Sequence, residues 1–203
     1  MSYLDLQFSV DEARLIELAW NNGVLNWSSP DLLPVRMKVR NHHRLIQHDK
    51  CCYCRKSFLQ GHPLEVDVEH ILPRVKYQAL AVALVNLTIA CKRCNMQVKK
   101  ERNDFIVGSL EFYDDCDVSD SSRYKIIHPN LDVYSEHINA IFVDVDNIVF
   151  RRYMILGGSS KGQATVEYFL LRHLEEDTLD EIQGLGESTG AERAGGIRAL
   201  LGL

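Results

Sequence analysis

Cys51-Cys-Tyr-Cys54, Glu69-His70-Ile-Leu-Pro73, Asn86-Leu87 and Cys91-Lys-Arg-Cys94-Asn95 follow one another within 45 residues of a 203-residue chain. A C-x-x-C turn presents two thiolates to one ion, and two such turns complete a tetrahedral sulfur site. The two pairs, separated by 36 residues, point to a structural Zn²⁺ held by Cys51, Cys54, Cys91 and Cys94. A redox dithiol needs one C-x-x-C beside a parallel-sheet pattern, and buried apolar cysteines are the remaining alternative. A site closed by four thiolates has no open coordination position, so it holds structure and does no chemistry. Cys52 and Cys116 are left over, Cys51 having the better spacing.

Between the pairs the pattern changes period. Leu64-Glu-Val-Asp-Val-Glu69 alternates and predicts a strand with Leu64, Val66 and Val68 inward. A second strand is expected over Leu87 to Ala90. Asn95 is a good N-cap for a helix from Met96 to about Asp104. The order strand, loop, strand, helix thus carries both cysteine pairs.

The same stretch holds groups suited to phosphodiester hydrolysis, which needs a base for water and charge neutralisation at the phosphate. His70 is the candidate base, because an imidazole titrates near neutrality. Glu69 and Asn95 offer oxygens to Mg²⁺ or Mn²⁺, ions that keep several waters and need few protein ligands. Asp67 shares a strand face with Glu69 and is an additional candidate. Arg74, Lys92, Lys99, Lys100 and Arg102 are candidates for the flanking phosphates. In a regular strand Glu69 and His70 point to opposite faces, so the strand must end or bend there; Pro73 favours an exit. A packed histidine before a turn is the plain alternative.

Charge follows the motif. The chain carries a net charge of -5, yet residues 36–102 hold 14 Lys/Arg against 5 Asp/Glu. The remainder holds 9 against 23, so a polyanion is attracted to one segment and repelled elsewhere. No apolar run approaches the length of a membrane span, and no secretory leader is seen, so a cytoplasmic location is expected.

Upstream, Ser9-Val-Asp-Glu12 reads as a capping box before a helix of about a dozen residues, with Leu15, Ile16, Leu18 and Ala19 inward and Asn22-Gly23 ending it. A second helix is expected from Pro34 to His48, with Val35, Val39, Leu45 and Ile46 partly buried and His42, His43 and His48 at the surface. Downstream, Ile138 to Tyr153 reads as a hairpin turning at Asp144 to Asn147, and Gln163 to Leu174 as a helix with Val166, Phe169, Leu170 and Leu174 inward. Gly184 to Gly202 contains six glycines and reads as a flexible tail.

Taken together, Cys51/Cys54, Glu69-His70 with Pro73, Asn86-Leu87 and Cys91/Cys94-Asn95 resemble the HNH endonuclease family, the similarity running to about Lys100. The resemblance implies a ββα-metal fold, His70 as general base, and Glu69 with Asn95 as ligands of the catalytic ion. It implies that Asn86 tethers the loop behind the base. Two departures stand out: the lysine common three residues after the last Asn is replaced by Val98, with Lys99 following, and Glu69 stands where Asp is commoner. A narrower similarity rests on Tyr53, His128-Pro-Asn-Leu-Asp132, Glu136-His137 and Lys161-Gly-Gln-Ala-Thr165. It is to the HNH subunits of Septu-type and retron-linked anti-phage systems. That similarity implies an SMC-like or ABC-type ATPase partner, for which the acidic C-terminal half would be the docking surface; a packing appendage is the other reading.

The expectation is an α+β chain: N-terminal helices over residues 1–48, a ββα-metal HNH core with a four-cysteine zinc site over 49–107, a hairpin-plus-helix region over 108–183, and a tail over 184–203. The expected activity is metal-dependent cleavage of DNA. The alternative is a zinc-ribbon module that binds nucleic acid without cutting, against which an intact Glu69, His70 and Asn95 argue.

Overall fold

Ser9 opens the first helix, α1 (Val10–Leu18), by the reciprocal cap its sequence predicts. The Ser9 hydroxyl accepts from the Glu12 N–H, and the Glu12 carboxylate accepts from the Ser9 N–H. The computed structural model describes residues 2–59, 66–108, 118–145 and 148–175. α1 is shorter than expected, because Asn22-Gly23 serves another purpose. Their φ angles of +48° and +76° make the two-residue turn of a small hairpin, β1 (Trp20–Asn21) and β2 (Val24–Leu25). Of the expected inner face of α1, Ile16 is buried while Leu18 is exposed.

Helix α2 (Leu33–Ile46) carries Pro34 in its first turn, where the missing N–H removes no helical bond. Val35, Val39 and His43 recur every four residues and form its buried face. Here two expectations reverse: His43 is inside, and Leu45 faces solvent. Leu6, Ile16, Leu25, Trp27, Leu32, Val35, Val39, Ala81 and Leu87 make the main core cluster.

Strands β3 (Val66–His70) and β4 (Leu87–Cys91) pair antiparallel, from Val66 opposite Cys91 to His70 opposite Leu87. α2 packs on both strands. Gln47, just past α2, is buried and locks this contact: its amide donates to the Ile89 carbonyl and its oxygen accepts from Thr88 and the Ile89 N–H. Every residue of β4 is buried. On β3 Val66 is buried as expected, but so is Glu69; Leu64 lies outside the described residues.

After β4 the chain enters a π-helix, Arg93–Lys99, preceded by Lys92. Asn95 therefore sits inside the helix and is not its cap. Its carbonyl accepts from the Lys100 N–H at 2.7 Å, the five-residue bond of π winding. The expected ββα order is present, with the helix starting earlier and wound wider.

Chain packing separates residues 1–134 from residues 135–203. The first unit contains the N-terminal helices together with the two cysteine pairs, so the boundary expected near residue 48 does not divide compact units. In the second unit β5 (Ile138–Val145) pairs with β6 (Ile148–Ile155) as the expected hairpin. The centre of its turn, residues 146 and 147, lies outside the described residues, as do Cys116 and the glycine-rich 184–203. Helix α3 (Ser160–Tyr168) packs Gly162 against the chain: a Cβ there would sit 2.7 Å from the His137 carbonyl oxygen. Leu170, expected inward, turns outward at φ +52°, and Leu171 is buried in its stead.

Candidate active site

The four motif cysteines converge. Cys51, Cys54, Cys91 and Cys94 are all buried, and their sulfurs lie within 4.8 Å of one another. The Cys54 and Cys91 sulfurs are 3.7 Å apart. A tetrahedral ion with Zn–S bonds of about 2.3 Å needs about 3.8 Å between sulfurs, so the donors fit zinc. The knuckle is made locally. The Arg55 N–H donates to the Cys51 carbonyl at 3.0 Å with Arg55 at φ +58°, and Lys50 bridges Ser57 across the turn. With Cys51 ionised, its contact pushes the Cys54 and Cys94 thiols up; a cation at the centre is what would hold all four as thiolates. Cys52 is buried beside the set and is not part of it.

The face of β3 that carries Asp67 and Glu69 meets the π-helix. Glu69 is 1% exposed and sits 2.8 Å from the Lys99 ammonium, itself 1% exposed. The Tyr53 hydroxyl, inside the first knuckle, donates to the same carboxylate at 3.0 Å. Lys99 also donates to the His70 carbonyl at 2.8 Å. Burial pushes the Glu69 carboxyl up, and Lys99 opposes that shift. Asp67, one pleat along, is half-buried and faces the Asn95 amide at 3.4 Å. Glu69 and Asn95, expected to hold one ion, are thus engaged by different partners. Lys99, expected at the phosphates, is an internal cation. Asn95 and Lys99, four residues apart on the π-helix, both reach β3.

His70 is the last residue of β3 and points to the opposite side. Its ring meets Trp27 edge-on at 4.8 Å, and its Nε2 is 3.0 Å from the Ala81 carbonyl. A carbonyl only accepts, so Nε2 carries the proton and Nδ1 is the basic nitrogen. Among the described residues no group is bonded to Nδ1. Burial lowers the imidazole to about 4, so it is neutral at pH 7, as a base must be.

Asn86 holds the loop that supplies Ala81. Its side-chain oxygen accepts from the Leu72 N–H at 2.6 Å, and its amide donates to the carbonyls of Leu72 and Leu80 at 3.1 Å each. It is 2% exposed. Sequence reasoning did not single out Asn130, which braces the same loop by donating to the carbonyls of Leu84, Val85 and Leu87. The signal was there: an Asn in the His128-Pro-Asn-Leu-Asp132 turn, closed by the His128 N–H on Asp132. His128 is buried against the Tyr124 ring, and His137 pairs with Ser159. Among the described residues only the four cysteines form a converging group of three or more Cys, His, Asp or Glu.

The basic residues divide. Arg74 donates to the Leu25 carbonyl, and Arg102 pairs with Asp104 at the surface. Lys92 and Lys100 are exposed on the π-helix flanks.

Residues 51–101 match the family model for HNH endonucleases, and this segment is an HNH domain. The Septu protein PtuB of Bacillus thuringiensis is 28% identical to this chain over 165 residues, covering 81% of this chain and 50% of that protein. The chain therefore spans about half the length of this relative. No solved structure matches. The model that matches residues 51–101 is that of an endonuclease family.

Proposed function

We propose that this protein is a metal-dependent endonuclease that hydrolyses phosphodiester bonds of DNA, with His70 as general base. The observation that carries the reading is the Nε2 bond to Ala81, which leaves Nδ1 of a neutral imidazole to accept a proton. In the reaction Nδ1 takes the proton of the attacking water, and the Ala81 carbonyl steadies the imidazolium that results. Asn86 is a positioning residue that keeps the loop behind the ring in place. A divalent ion near Asn95 would supply charge neutralisation at the phosphate and the leaving oxygen; because His70 faces the other side of β3, the phosphate would have to lie across the strand end, where His70 is the last residue. Lys92 and Lys100 face solvent and are suited to flanking phosphates.

The name of the Septu relative supports a place in anti-phage defence, and the resemblance to Septu-type HNH subunits implies a partner ATPase that would govern when the nuclease acts. A binding module that does not cut is the second reading, favoured by Glu69 being tied to Lys99 and not turned toward His70. Plasmid nicking with Mg²⁺ or Mn²⁺, with and without EDTA, separates the two. The full chain should nick in a metal-dependent way, and His70→Ala should lower the rate by about 100- to 10,000-fold. Zinc content, read by elemental analysis, should be unchanged in the variant. Equal nicking by both proteins would remove His70 from catalysis, and no nicking by either would favour the binding module.

A further inference from the structure

We propose that Asp67, and not Glu69, supplies the carboxylate oxygen that holds the divalent ion beside Asn95, and that Glu69 is the internal counter-ion of Lys99. The inference deepens the nuclease reading and rests on its metal dependence. Two carboxylates share one face of β3, and the π-helix meets them with two side chains four residues apart. The contacts pair off as Asp67 with Asn95 and Glu69 with Lys99.

Glu69 is committed. It accepts from Lys99 and from the Tyr53 hydroxyl, out of reach of solvent. Lys99 is equally occupied, donating to the carbonyls of His70 and Lys100 as well. Drawing Glu69 to an outside cation would strand a buried ammonium beside that cation, which both desolvation and like-charge repulsion oppose. Asp67 has no such obligation. It and Asn95 are half-buried and therefore reachable by a hydrated ion. Their polar atoms are 3.4 Å apart, near the edge of about 3.0 Å between adjacent ligands of an octahedral Mg²⁺. Rotating the Asn95 amide by half a turn exchanges its nitrogen for its oxygen and gives two oxygen donors at that spacing. Mg²⁺ and Mn²⁺ need no more from the protein, since water and phosphate complete the shell.

Mn²⁺ binding to the zinc-loaded full chain, measured by electron paramagnetic resonance and by calorimetry, tests this apart from cleavage. Asp67→Asn should weaken Mn²⁺ binding by about 10-fold or more. The double variant Glu69→Leu with Lys99→Met, which removes the pair together, should stay within about 3-fold of the wild type, since it keeps an apolar interior and the ligands. Wild-type affinity in Asp67→Asn would overturn the assignment, and because that site is half-exposed the variant decides even if the double variant fails to fold. Loss of Mn²⁺ in a folded, zinc-replete double variant would also overturn it, returning the ion to Glu69. Mn²⁺ binding that obeys these rules without any DNA nicking would leave the ligand assignment standing and sink the nuclease reading. Absence of Mn²⁺ binding to the wild type would sink both.

Discussion

His43 and His70 are both lowered to about 4 by burial, yet their neighbours give the shift different meanings. His70 has a carbonyl that selects its tautomer. His43 is 1% exposed on the inner face of α2, and among the described residues its Nδ1 has no hydrogen-bond partner. Its cost appears only in acid. The unfolded ring takes up a proton near pH 6.5 and the folded ring not until about 4. Between those values the unfolded chain binds more protons, so stability falls as pH drops through the window and is indifferent to this group above it. The full loss is about 3 kcal/mol. Urea midpoints measured from pH 7 to 4.5 should decline, and His43→Leu should decline less. Zinc thiolates protonate in both proteins, so the difference between the curves isolates the imidazole; parallel curves would contradict the account. Nothing in the spacing of His42, His43 and His48 marked the middle one as internal. Its place four residues after Val39, on the Val35 face of α2, puts it inward.

At the level of elements, the segment between β3 and β4 depends on two asparagines. Asn86 and Asn130 hydrogen-bond backbone N–H and C=O groups along this segment. Asn86→Ala leaves buried backbone groups unpaired, at roughly 1 to 3 kcal/mol for each. The melting temperature should fall by several degrees, and nicking well below the melting point should slow through kcat more than through KM, because Ala81 loses its position behind His70. An unchanged melting temperature would refute the tether. The family pattern singles out Asn86, and its side chain bonds the backbone of Leu72 and Leu80. The helix after β4 was not read correctly: Asn95 looks like a cap because Asn caps well, but the C-x-x-C knuckle starts the helix earlier. The π winding then rotates Lys99 inward, a consequence that no residue propensity contains.

Over the whole molecule, the basic segment is less available than its composition suggests. Arg36 donates to the carbonyls of Trp27 and Ser29, Arg40 to that of Val66, and Arg74 to that of Leu25. Lys38 pairs with Glu12, Arg44 with Asp49, and Lys99 with Glu69. Many of the cations counted between residues 36 and 102 thus brace loops and strands of the first unit. On the proposed nuclease function, the salt dependence of DNA binding should reflect this. Lys92→Gln and Lys100→Gln should each reduce the slope of log K against log salt by about 1. Arg40→Gln should lower stability and leave the slope alone. A slope unmoved by the two lysine changes would place the DNA on another surface.

The sequence by itself determined the features that are local or set by ligand chemistry. These are the four-sulfur site, whose spacing maps directly onto coordination, the Ser9–Glu12 cap and the β5–β6 hairpin. Tertiary structure alone decided which charges are spent inside. Glu69 and Asp67 are equivalent by alternation, and they part company only because the π-helix brings an ammonium to one and an amide to the other. A buried charge demands a partner and an exposed one does not, and partners distant in sequence are chosen by packing.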